Sequence, residues 1–87
     1  MVNNMIIVID IELKDVKKDI YHFLALVFFE DYDYGSYTTI TDFKDNLEKH
    51  IDKDADDNYV CIINCKTKEY KVVNIQNKIQ VVDVKHE

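Results

Sequence analysis

The chain contains no arginine and no proline, and only one glycine and two cysteines among 87 residues. Each shortage closes off something. Arginine is the preferred residue for bidentate contacts to phosphate and guanine. Its absence, beside a net charge of −6, argues against direct binding of DNA or RNA. Richness in Lys, Ile, Asn and Asp is also what an AT-rich genome encodes, so the case against nucleic acid rests on the charge. With so little glycine and proline, the loops must be few and built from Asp, Asn, Ser and Thr. The lone glycine, Gly35, is expected to hold positive φ within a loop over residues 30–39.

Cys61 and Cys65 lie four apart. On one strand they would face the same way with Cα atoms about 13 Å apart, too far for a disulfide. They read as reduced, small apolar residues of a cytosolic core. Their spacing fits no usual zinc layout, so neither metal nor cofactor is expected. A basic leader is also missing: the start runs from Met5–Val8 straight into Asp10 and Glu12. The longest apolar run, Phe23–Phe29, falls far short of the roughly 20 residues a membrane span needs. The expectation is a cytoplasmic protein that is not membrane-bound.

What the chain does have is acid, concentrated in one stretch. Residues 30–57 hold ten carboxylates against three lysines, and the remaining residues nearly balance. Such single-sign charge opposes compaction and is kept for solubility or for meeting a basic partner. The hydrophobic fraction of 47% still excludes wholesale disorder, and the length makes one domain, spanning residues 1–87, with a modest core.

The apolar pattern gives the order β-α-α-β-β-β. Ile7, Ile9, Ile11 and Leu13 alternate with Asp10 and Glu12, the mark of a half-buried strand. From Asp15, placed as N-cap, Val16, Ile20, Phe23, Leu24 and Val27 take helical spacing. The end of that helix is apolar all round. Because so small a domain needs every apolar side chain, the economical account packs it centrally under a sheet; the alternative gives Phe28 and Phe29 to a partner or a second copy. Ile40, Phe43, Leu47 and Ile51 mark a second helix, capped by Thr39 or Thr41. Strands follow at about 58–66, 69–75 and 78–84, joined by short turns into an antiparallel meander. The expected fold is α+β, a small mostly antiparallel sheet of about four strands with both helices on one face.

No catalytic constellation emerges. His22, His50 and His86 are dispersed, and no nucleophile elbow, phosphate loop or dinucleotide fingerprint is present. Asp52, Asp54 and Asp56 imitate the start of an EF-hand loop, but Asp57 stands where glycine is needed and Ile63 where a bidentate glutamate is needed. An enzyme is not expected.

A binding surface is. After Glu30, Tyr32, Tyr34 and Tyr37 alternate with Asp31, Asp33 and Ser36, and tyrosine gives large, rigid contact area at low entropy cost. Asp42, Asp45 and Glu48 follow at helical spacing, continued by Asp52, Asp54, Asp56 and Asp57. A track of carboxylates can stand in for phosphates in a basic groove; a plainly solvated acidic face is the competing account. In size, acidity, compactness and lack of catalytic groups the chain is similar to phage-encoded counter-defence proteins: anti-CRISPR proteins, anti-restriction proteins and uracil-DNA glycosylase inhibitors. Asp56-Asp57-Asn58 before a strand, then Glu69-Tyr70-Lys71, resembles the glycosylase inhibitors over a short stretch. The likeness implies a DNA mimic that binds a basic nuclease, a CRISPR effector or another DNA-binding enzyme. Two alternatives stand beside it: an antitoxin or immunity protein against a basic nuclease, similar to the barstar type, and a homodimeric module built on Phe28, Phe29 and a sheet edge.

Overall fold

The computed structural model describes residues 5–29 and 32–75. Four strands form one antiparallel sheet: β1 (Ile6–Ile11), β2 (Tyr34–Tyr37), β3 (Tyr59–Asn64) and β4 (Glu69–Asn74), in the order β2-β1-β3-β4. Two helices complete it, α1 (Ile20–Phe29) and α2 (Ile40–Asp45), with short 3-10 turns at Leu13–Asp15 and Leu47–His50. The class is the expected α+β. Among the described residues no helix is long and apolar enough to cross a membrane.

The helices do not share a face of the sheet, contrary to expectation. Val8, Val60, Ile62 and Val73 pack with Phe43 and Leu47 of α2. Ile9, Ile11, Cys61 and Ile63 pack with Phe23 and Leu26 of α1 on the other side. Successive side chains of a strand point to opposite faces, and β1 and β3 are apolar at both sets of positions. Val8 and Ile9 are both fully buried. β1 is therefore a central strand covered on two sides rather than a half-buried one. The sheet becomes the middle layer of three.

The first helix also starts later than its apolar spacing suggests. Asp15 closes the 3-10 turn, accepting from the Glu12 N–H at 3.2 Å, and the N-cap role passes to Asp19, whose Oδ1 accepts from His22 N–H at 3.0 Å. α2 begins as expected, with Thr39 Oγ1 accepting from Asp42 N–H at 3.1 Å. It ends at Asn46, whose side-chain amide donates to the Asp42 carbonyl at 2.8 Å. The chain then tightens into the second 3-10 turn.

Residues 34–37, expected to lie in a loop, instead form β2. Gly35 does not have positive φ. Its lack of a side chain serves contact: a Cβ there would lie 2.9 Å from the Tyr37 ring. The residue that does take the left-handed conformation is Lys68, with φ 64°, in the β3–β4 turn. Asn64 Oδ1 organises that turn by accepting from Lys66 and Thr67 N–H at 2.9 and 3.1 Å. The further strand expected at 78–84 lies outside the described residues.

Candidate functional site

α2 starts next to Tyr37, which pairs with Ile6, and the following 3-10 turn ends at His50, which reaches Asp10 near the other end of β1. Its outer side carries Asp42, Asp45 and Glu48, all exposed. Asp42 and Asp45 lie about 4.5 Å apart along the axis of α2, and Glu48 follows in the second 3-10 turn. Lys44 and Lys49 dilute this charge without pairing to it. Among the described residues no ion pair engages Asp42, Asp45, Glu48, Asp54 or Asp56.

The track leads to a cleft of about 730 Å³ at the Ile11 end of the sheet, lined by Asp10, Glu12, Asp33, Asp52 and Asp57 together with Lys49. The fold thus brings Asp33 to the same place as the 52–57 loop. It adds Asp10 and Glu12, which alternation along β1 had marked only as the strand's polar side. The loop itself is braced. Buried Asn58 accepts from Asp52 N–H at 2.8 Å and its own N–H donates to Asn74 Oδ1 at 3.2 Å. Asn74 in turn donates to Asp57 at 2.9 Å, and Asp52 Oδ1 accepts from Asp54 N–H at 3.0 Å. These bonds hold the loop to a defined arc.

Four lysines gather elsewhere. Lys17, Lys18, Lys68 and Lys71 line a separate groove of about 510 Å³ along β4. Acid thus predominates on α2 and at the Ile11 end, with Lys44, Lys49 and Lys53 among it, and base predominates along β4 beside Glu69.

The tyrosines do not act together. Tyr34, opposite Ile9, and Tyr37, opposite Ile6, project from opposite faces of β2. Tyr34 is exposed. Tyr37 packs on the α2 side and bonds His50 Nε2 at 2.7 Å, while the other ring nitrogen of His50 lies 2.5 Å from Asp10 Oδ1. This Asp–His–Tyr chain has the connectivity of a catalytic relay, yet both ring nitrogens are engaged and the ring is buried, edge-on to Phe43 and Tyr37. It ties the end of the second 3-10 turn to β1 and β2. Burial, with Asp10 nearby, pushes the Tyr37 hydroxyl above its usual range.

Tyr32 belongs to a second set. Its hydroxyl donates to Asp15 Oδ2 at 3.2 Å, and His22 Nε2 lies 3.1 Å from Asp15 Oδ1. Burial of Asp15, only 2% exposed, raises its pKa, but bonds from His22, the Glu12 backbone and Tyr32 outweigh this and leave it below the ordinary value. Glu30 and Asp31 lie outside the described residues. Sequence spacing could not reveal either His pairing, since each joins separate elements.

No group of three or more His, Cys, Asp or Glu among the described residues is placed to hold a metal ion. Cys61 and Cys65 are free thiols, and burial pushes the Cys61 thiol up to about 12. Compared with known proteins, the chain matches no family model, no curated protein and no solved structure.

Proposed function

We propose that this chain is a small protein inhibitor that occupies the nucleic-acid groove of a basic protein, its carboxylates standing in for phosphates. The observation that carries the reading is the acidic track of Asp42, Asp45, Glu48, Asp54 and Asp56, all exposed and none in an ion pair among the described residues. Lys44, Lys49 and Lys53 lie among these acids without forming an ion pair with them, while Lys17, Lys18, Lys68 and Lys71 line a groove of their own along β4. The reading makes the protein a binder and not an enzyme; the buried Asp10–His50–Tyr37 chain serves its scaffold. The partner is a nuclease, CRISPR effector or other DNA-binding enzyme of the kind that counter-defence proteins block, and the site of action is the cytoplasm.

The test is competition. A panel of basic nucleases, CRISPR effectors and DNA-repair glycosylases, each loaded with labelled duplex, is titrated with the chain at several salt concentrations. Displacement of DNA from a member, weakening steeply with salt, supports the reading. Charge reversal at Asp45, Glu48, Asp54 and Asp56 should then abolish displacement while leaving the fold intact. Displacement that survives molar salt or the four reversals, or DNA left bound on every member of the panel, overturns it.

A further inference from the structure

α1 leaves an uncharged aromatic face in water. Tyr21, Phe28 and Phe29 are 78%, 70% and 82% exposed, and no Asp, Glu, Lys or Arg occurs from Ile20 to Phe29. An aromatic side chain can bury about 150–250 Å², so these three offer roughly 450 Å² per chain. That is over half of the ~800 Å² each partner contributes to a stable interface. Tyr34, on the same side of the sheet, is also exposed, at 51%.

We propose that α1 is a two-fold contact between two copies of this chain. Charge selects the occupant. The net charge is −6, so two copies repel unless their acidic surfaces are kept apart. Because α1 and α2 cover opposite faces of the sheet, a pair joined through α1 places two helices and two sheets between the acidic tracks. With layers about 10 Å apart, the tracks stand several Debye lengths from one another at physiological salt. The net charge disfavours an anionic membrane, although Lys17 and Lys18 lie just ahead of α1, and a basic protein partner has no charge on α1 to recognise.

The helix surface suits self-packing. Tyr21, Ala25 and Phe29 follow one another at four-residue intervals, a single ridge along the helix with its small residue at the centre. Two such ridges crossing at Ala25 bring Phe29 of one copy beside Tyr21 of the second, twice over by symmetry. The acidic tracks are left facing outward on both sides. This contact is independent of what those tracks bind.

Sedimentation equilibrium on the full chain, from low micromolar to millimolar concentration, decides it. The mass should rise from 10.3 kDa to twice that, and Phe28→Ser/Phe29→Ser should hold it at the chain mass with an unchanged circular dichroism spectrum. Tyr21→Lys, which puts two cations into the contact, should do the same. A benzophenone photo-crosslinker at position 28 should capture α1 of another copy. The proposal falls if the chain stays at 10.3 kDa throughout, if the mass climbs past two copies, or if both variants still double. It falls equally if the crosslinker captures only residues 76–87 of its own chain, or if phosphatidylserine vesicles retain the protein in a Phe28- and Phe29-dependent way.

Discussion

His50 Nδ1 lies 2.5 Å from Asp10 Oδ1, across a separation of forty residues. That bond fixes where the chain leaving α2 meets the end of β1, and so where the acidic 52–57 loop begins. The geometry of the acidic cleft depends on a histidine that carries none of its charge.

Replacing His50 should therefore cost stability and disturb the cleft together. His50→Ala leaves a cavity against Phe43 and removes both bonds, and is expected to cost about 3 kcal/mol. Tyr37→Phe, which removes one bond and keeps the ring, should cost about 1 kcal/mol. Urea unfolding of the two single variants and the double gives the coupling. Strict additivity would mean the hydroxyl and the ring do not act as a pair.

Acid should weaken the fold through Asp15. Its folded pKa lies below the ordinary value, so the ionised carboxylate is favoured in the native state. The stabilisation is complete above the unfolded pKa of about 3.9 and is lost as pH falls through the lower, folded value. Asp15→Asn should remove this component and flatten the acid limb of a stability-versus-pH curve measured by urea unfolding. An Asn variant as acid-sensitive as the parent would place the dependence on other carboxylates.

Gly35→Ala should destabilise although Gly35 has an ordinary backbone. The new Cβ meets the Tyr37 ring at 2.9 Å, and overpacking of this kind costs about 1–3 kcal/mol. In a Tyr37→Ala background the same substitution should be nearly neutral. If the cost persists there, the backbone rather than the ring requires glycine.

The two thiols should react very differently. Cys61 is fully buried, with its pKa pushed up to about 12, while Cys65 is half-buried and less strongly shifted. A disulfide reagent at neutral pH should label Cys65 in the native protein and Cys61 only on unfolding. Rapid labelling of both would show that β3 opens locally.

The elements were largely legible because each rests on a local pattern: alternation in β1, three- and four-residue spacing in both helices, and Thr39 ahead of α2. β2 escaped notice because Tyr34–Tyr37 has no apolar alternation; its place is set by pairing with Ile6–Ile9, a contact distant in sequence. The surplus of acid and its clustering are properties of the chain itself, whatever its fold. Only the tertiary structure decided how that acid is deployed. Alternation cannot say what covers each face of a strand, so sequence alone left both helices on one side. Packing put Phe23 and Leu26 of α1 against one face and Phe43 and Leu47 of α2 against the other. Two apolar faces on one sheet need two covers, and that requirement separates the acidic surface on α2 from the aromatic surface on α1.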